Sequence, residues 1–229
     1  MTFTIVARCT RTGNMGVSMA TSSPAVGNRC AFVSRDGAVG FQAIAEPRLG
    51  AATLRFVEAR HSPRAAIELI QRADDWPDHR QIGIVDADGR SAAHTGKMNM
   101  DWAGHRVGPG YVAMGNLITG EEVVSAIEAA FLSSHDEDLE ERLIRAIEAG
   151  RDAGGQEEGQ LSASILSFGR ETFARCDLRV DHSPEPIAEL RRIFDWYRPL
   201  IPYFLDRTAD PNQLRHKDWL IAKAQATNK

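Results

Sequence analysis

Thr2 follows Met1 directly and opens a stretch, Thr2 to Arg8, in which Phe3, Ile5 and Ala7 alternate along the chain as the residues of one strand face do. A small second residue generally permits removal of an initiator Met. Thr2 would then carry an Oγ nucleophile and a free α-amine, whose ordinary pKa of about 7.7–8.0 suits it to take the hydroxyl proton near neutral pH. One residue would supply both nucleophile and base. Thr4 places a second hydroxyl on the same strand face. The competing reading of Thr2 is an ordinary strand residue, because position alone supplies no partner geometry.

Other chemistry has weaker spacing behind it. The chain contains no G-x-S-x-G elbow, Walker loop or H-E-x-x-H pattern. Gly104, Gly108 and Gly110 read as loop residues, without the strand-to-helix context of a dinucleotide fingerprint, and Trp102 to His105 reads as a loop that lines a pocket or packs in the core. The seven histidines never show metal-ligand spacing on one element. His94 and His105 are the pair that could converge, as ligands or as acid–base groups, and a hydrogen-bonded structural histidine is the commoner fate of each. Cys9, Cys30 and Cys176 form no C-x-x-C pair and read as buried free thiols. The acidic run from Asp136 to Glu141 is accounted for by the dipole at a helix start.

The elements that must position these groups can be read from periodicity and turn chemistry. Thr12-Gly13-Asn14 turns the first strand into a second, Met15 to Thr21. Cys30 to Ser34 and Ala38 to Ala45 flank Arg35-Asp36-Gly37, and Gln81 to Asp86 and Arg90 to Thr95 flank Ala87-Asp88-Gly89; both are Asp-Gly hairpins. Between them lie two helices, Leu49 to Ala59 and one opening at Ser62-Pro63, where Ser caps and Pro suits the first position. Tyr111 to Gly115 is a further strand. Thr119 to Glu122 fits a capping box before a helix carrying Val123, Ile127, Ala130 and Phe131, and the next helix, with Leu139, Leu143 and Ile147, is expected to stop at Gly150. After a Gly-rich loop, Asp152 to Gly159, come strands Leu161 to Phe168 and Asp177 to Val180. A helix from Ser183-Pro184 carries Ile187, Leu190, Phe194 and Tyr197, and a short helix around Leu214 to Ala224 completes the tail. The order ββββ, αα, βββ, αα, ββ, α argues for antiparallel sheets with helices outside, in one α+β domain, rather than a parallel βαβ repeat.

Composition excludes several classes. With 229 residues, 43% hydrophobic and 25% charged, the chain has an ordinary globular mixture that can bury a sizeable core. Its formal net charge of -4 provides no basic face for phosphate backbones, so no nucleic-acid partner is expected. No basic n-region opens the chain and no apolar run reaches a membrane span, so the expected setting is reduced, cytoplasmic and without a membrane partner.

Several blocks, taken together and in order, resemble the family called domain of unknown function 1028. They are Thr2 to Arg8, Ser23-Pro24-Ala25-Val26-Gly27, Gln42-Ala43 with Pro47-Arg48-Leu49-Gly50, Ala93-His94-Thr95-Gly96, Trp102 to Arg106, Gly115-Asn116, and Asp177 to Asp181. That family resembles the N-terminal-nucleophile (Ntn) hydrolases. The resemblance implies a four-layer α-β-β-α sandwich of two stacked antiparallel sheets over residues 1–197, followed by a helical tail, 198–229, packed on the domain or on a partner subunit. It implies hydrolysis of an amide, ureido or cyclic amide C–N bond in a small metabolite through an acyl-enzyme, with no metal or organic cofactor. Thr2 would be nucleophile and base. Asn116 would donate to the oxyanion and Gln42 would bind substrate, the alternatives being a turn cap for Asn116 and a backbone partner for Gln42.

Two departures from the family pattern are Thr4, where Ser is common, and Glu46, where Asn is expected. Glu46 pairs Arg48 or orients an amine-bearing substrate; Arg48, His94 and His105 join it as candidate substrate-binding residues. A different class also fits: a non-catalytic Ntn-like protein that binds a small ligand or serves an assembly. A third reading is a hydrolase using His94, His105 or Glu46 with a bound metal. The aromatics Trp196, Tyr197, Tyr203, Phe204 and Trp219 in the tail make a homo-oligomer an open expectation.

Overall fold

A computed structural model describes residues 1–227. The first hairpin, β1 (Thr2–Arg8) and β2 (Met15–Thr21), forms the middle of a six-stranded antiparallel sheet. The second, β3 (Ala31–Ser34) and β4 (Gly37–Ala43), continues into β5 (Arg80–Asp86) and β6 (Ser91–Thr95) to make a four-stranded antiparallel sheet. The six-stranded sheet is completed by β7 (Ala103–Gly108), β8 (Tyr111–Asn116), β9 (Ser162–Phe168) and β10 (Ala174–Val180), in the order β10-β9-β2-β1-β8-β7. The protein is therefore α+β with two antiparallel sheets and packed helices.

Strand alternation decides which side chains meet. On β1, Val6 points to the four-stranded sheet and joins Val17, Met19, Val33, Ala38, Val85, Val112 and Met114 in a core between the sheets. Phe3 points the other way, toward Gly150 on α4 (Leu139–Asp152), which packs with α3 (Glu121–Ser133) over the outer face. On the opposite side, α1 (Pro47–Glu58) and α2 (Pro63–Ala73) bury Val57, Ala66, Ile67 and Ile70 against Val39, Phe41, Ile82 and Ile84. Each fully buried Val, Ile or Phe side chain among these contributes roughly 1.5–3 kcal/mol by leaving water. The sheets approach closely where Gly40 and Gly83, cross-strand neighbours in the four-stranded sheet, lie against the other sheet: a Cβ on Gly40 would lie 2.7 Å from the Met114 methyl.

Several expected details differ. The stretch Trp102 to Gly110 is not a loop, since Ala103–Gly108 pairs with β8 through a turn at Pro109-Gly110. β7 is an edge strand with His105, Arg106 and Val107 exposed, so it lacks the apolar alternation that marks a half-buried strand. Thr119 is not the cap of α3: the N-cap is Gly120, and Thr119 donates its N–H to the Gly155 carbonyl at 3.1 Å. α4 passes through Gly150, which packs against Ile127, and ends at Asp152 before Gly154 and Gly155 take positive φ. The Ser62 cap on Ala65 N and the Ala87-Asp88-Gly89 turn are as expected.

Chain contacts divide the protein into two units, Met1–Leu190 and one beginning at Arg191, with α5 (Pro186–Tyr197) containing the boundary. In the second unit α6 (Ile201–Ala209) accompanies α7 (His216–Thr227). α6 was not expected from the sequence; its Pro202 stands in the first helical turn, where Pro is well tolerated. Tyr203 is buried there with ring contacts to Phe204, His216 and Trp219, whereas Trp196 is exposed. Among the described residues, no helix is long and apolar enough to cross a membrane.

Candidate functional site

Thr2 and Thr4 share the β1 face that carries Val6, so their hydroxyls lie between the two sheets at the end of the sandwich where β1 begins. Thr2 is buried, and its Cα partners are Thr21 on β2 and Asn116 on β8. Its Oγ1 lies 3.1 Å from Thr21 Oγ1. Thr21 in turn donates its hydroxyl to the Met1 carbonyl, which leaves Thr2 as the donor in the Thr2–Thr21 pair.

A web of side-chain amides lies across the gap. Gln42 on β4 accepts from the Thr4 hydroxyl and donates through Nε2 to the Thr2 carbonyl (3.3 Å) and to Gln81 Oε1 (2.7 Å). Gln81 Oε1 also accepts from Asn116 Nδ2 at 3.0 Å. The Gln81 Nε2 shares its two hydrogens among Thr95 Oγ1 (2.9 Å), the Gly115 carbonyl (2.8 Å) and the Gly104 carbonyl (3.1 Å). Gln81, fully buried, is therefore the centre of the web, and sequence reasoning passed over it. Its one signal was a polar residue on an inward-facing position of a strand otherwise rich in Ile and Val.

The backbone is strained next to this web. Ala43 directly follows Gln42 with φ 72, and Leu117 directly follows Asn116 with φ 49. Left-handed backbone costs a residue with a Cβ about 1–2 kcal/mol, and such strain concentrates at functional sites. Ala43→Gly should accordingly raise stability by about 0.5–1 kcal/mol after glycine's greater unfolded-state entropy is charged against the relief. Denaturant midpoints check this; a lower midpoint for the variant would mean that Ala43 is unstrained.

The remaining candidates sit in three places. His105 on β7 reaches the web through Thr95, whose Oγ1 lies 2.8 Å from His105 Nδ1. Partial burial of its ring, reinforced by nearby His94, lowers its pKa below the ordinary 6.5. His94 itself is on the outer face of β6, 3.1 Å from the Pro77 carbonyl, where it lines a cavity of about 420 Å³ with Arg64, Glu68 and Gln71 of α2. Glu46 caps α1 by accepting from Arg48 N at 3.0 Å, and it pairs with the Arg48 guanidinium at 2.8 Å. Thus Thr2, Gln42 and Asn116 are brought together, His105 is attached at one remove, and Glu46, Arg48 and His94 take no part in the web.

The Arg48 guanidinium and backbone N–H hold the Glu46 carboxyl down from its ordinary 4.5 to about 2. Because this pKa is depressed on folding, the stabilisation is complete above about pH 4.5 and is lost as pH falls through about 2. The stability difference between wild type and Glu46→Gln should be constant at higher pH and close toward pH 2. A difference unchanged between about pH 5 and about pH 2.5 would contradict the pairing.

At the N-terminus, Met1 lines a cavity of about 140 Å³ together with Asp101, Leu117, Ile118, Glu157 and Glu158. Burial lowers the pKa of the Met1 α-amine below its ordinary 8.0, while Cys30 and Glu158 act in the opposite direction. Among the described residues, no cluster of three or more His, Cys, Asp or Glu side chains could hold a metal ion.

Comparison with known proteins agrees with the blocks spread along the chain. Residues 2–190 match the family model described as a family of unknown function, DUF1028. The crystal structure of protein SPO2555 from Silicibacter pomeroyi, described as DUF1028, is similar with a TM-score of 0.79 and 29% identity, over 86% of this chain and 88% of that one. No curated protein matches.

Proposed function

The chain belongs to the DUF1028 family, whose function is unknown, and from that premise we propose that it is an N-terminal-nucleophile hydrolase cleaving a C–N bond of a small metabolite. The observation that carries this reading is the placement of Thr2: its hydroxyl is buried between two stacked sheets, hydrogen-bonded to Thr21, at the end of the sandwich where Met1 lines a cavity. Two antiparallel sheets with helix pairs on their outer faces also suit the α-β-β-α sandwich of Ntn hydrolases.

In this mechanism Met1 is removed. The Thr2 α-amine then accepts the Oγ proton as Oγ attacks the substrate carbonyl carbon, and the leaving amine takes that proton as the C–N bond breaks. Water hydrolyses the Thr2 ester and regenerates the hydroxyl. Asn116 Nδ2 gives one hydrogen to Gln81, and we assign its second to the developing oxyanion. Gln42 acts differently from a substrate-binding residue. Its amide is occupied by Thr4, Gln81 and the Thr2 carbonyl, so it holds the nucleophile's main chain in place.

The test is the intact mass of purified protein beside its amidase activity. Active protein lacks Met1; active protein that retains Met1 overturns the mechanism, because Thr2 then has an amide in place of its base. Ligand binding with retained Met1 and no turnover would identify a binding protein of the same fold.

A further inference from the structure

Thr2, Thr4, Gln42, Gln81, Thr95 and Asn116 bring only neutral hydroxyls and carboxamides to the web, and His105 is the one titratable side chain hydrogen-bonded to it among the described residues. Counting hydrogens gives each bond a direction. Gln81 Oε1 accepts twice, from Gln42 Nε2 at 2.7 Å and from Asn116 Nδ2 at 3.0 Å, whereas the reversed amide would set its oxygen against the Gly104 and Gly115 carbonyls. The Gln81 Nε2 can only donate, so Thr95 Oγ1 accepts from it at 2.9 Å. Thr95 then has one hydrogen to give, and among the described residues its remaining side-chain contact is His105 Nδ1, 2.8 Å away. His105 Nδ1 therefore accepts, and the ring is the neutral form with its proton on Nε2.

Protonation reverses this last link. An imidazolium carries hydrogen on both nitrogens, so Nδ1–H would point at Thr95 Oγ1 and the Thr95 hydrogen would lose its acceptor. The Gln81 Nε2 already divides two hydrogens among Thr95 and the Gly104 and Gly115 carbonyls, so a turning Thr95 changes how that amide is shared. Gln81 Oε1 in turn holds Asn116 Nδ2 directly, and it holds the Thr2 carbonyl through Gln42 Nε2, 3.3 Å from that oxygen. The charges near the ring do not favour the imidazolium. His94 on β6 opposes a second positive charge. On β7 itself Arg106 turns to α3, where Glu121 and Glu128 pair with it and Tyr111 of β8 donates to Glu128; successive residues of a strand face opposite sides, so these groups stand across the strand from His105. The residue opposite His105 on β8 is the apolar Met114.

We propose that His105 is a positioning residue: its neutral ring, accepting from Thr95, orients the Gln81 carboxamide and so aims Asn116 at the reacting carbonyl, and protonation of the ring releases that aim. His105 acts through Thr95 and Gln81 and needs no contact with substrate. Only hydrogen bonds rearrange, with one proton exchanged between His105 and water. The catalytic consequence rests on the N-terminal-nucleophile reading; the coupling of His105 to the amides does not.

The test follows imidazole and side-chain amide resonances of the full-length protein by NMR as pH is lowered. The Gln81 and Asn116 amide signals should move with the His105 midpoint in wild type. In Thr95→Val, which keeps the imidazole and removes the hydroxyl, His105 should still titrate while those amides stand still. His105→Gln, at an exposed position, should likewise leave them still. A kinetic arm uses propionamide and 2-pyrrolidone as probes, with the carboxylic acid product as readout. Wild-type kcat relative to that of His105→Gln should fall about threefold to tenfold between about pH 7.5 and about pH 5, the scale of one loosened hydrogen bond, with KM little changed. The Thr2 amine cancels in that ratio because both proteins keep it. Amides that ignore the His105 midpoint in wild type, or that still follow it in Thr95→Val, overturn the proposal and leave Thr2 as nucleophile. A fall carried by KM with the amides unmoved makes His105 a substrate contact and also overturns it. Amides that follow His105 through Thr95 in a protein without turnover support the coupling and remove the nucleophile.

Discussion

Under the proposed mechanism, Thr2→Ala is expected to lower amide hydrolysis by roughly 10⁴-fold or more, the scale of removing a nucleophile that works as a unit with its base. The protein stays folded. Alanine keeps the β1 backbone and its pairing with β2 and β8, and the loss is one hydrogen bond to Thr21, worth about 1 kcal/mol. Thr2→Ser, which keeps the hydroxyl and the α-amine, should retain most of the activity. Turnover measured beside a denaturant midpoint separates these effects. Thr2→Ala turnover within about tenfold of wild type would mean that another group attacks the substrate.

Gln81→Leu has the largest expected effect on stability, about 3–5 kcal/mol, because unsatisfied buried polar groups cost about 1–3 kcal/mol each and several are created together. Leucine fits the volume but strands Gln42 Nε2 and Asn116 Nδ2 without their shared acceptor, and the Gly104 and Gly115 carbonyls without their donor. Against a typical total of about 5–15 kcal/mol, that is a large fraction. Gln81→Glu keeps the acceptor but sets a carboxylate against the two carbonyls, so its penalty should grow as pH rises. Urea unfolding at two pH values reads both variants, and a Gln81→Leu loss below about 1 kcal/mol would mean that Gln81 is a bystander.

The partners of the amide web were only partly legible. Gln42 and Asn116 were reached through family blocks, which mark residues without saying what they touch. Thr21 and Gln81 were passed over because nothing in their local sequence distinguishes a hydroxyl or amide facing a site from one facing a neighbouring strand. β7 was lost for a related reason. Pairing on one side and exposure of His105, Arg106 and Val107 leave no periodic apolar pattern. Conversely, His94 rather than its neighbour Thr95 was the candidate within a family block, although adjacent residues of a strand face opposite sides. Thr95 enters the web; His94 meets α2.

By itself the sequence determined the local elements: the hairpins at Thr12-Gly13-Asn14 and Ala87-Asp88-Gly89, the Ser62-Pro63 helix start, and the apolar faces of α2 and α3. These depend on interactions within a few residues, where turn chemistry and side-chain period act directly. Only the tertiary structure decided that Thr2, Thr21, Gln42, Gln81, Thr95 and Asn116 belong together. They come from six strands in two sheets, and their convergence depends on register and on how closely Gly40 and Gly83 let those sheets approach. The same assembly places the Met1 ammonium beside Glu158, a juxtaposition more than a hundred residues apart in the chain and set by packing alone.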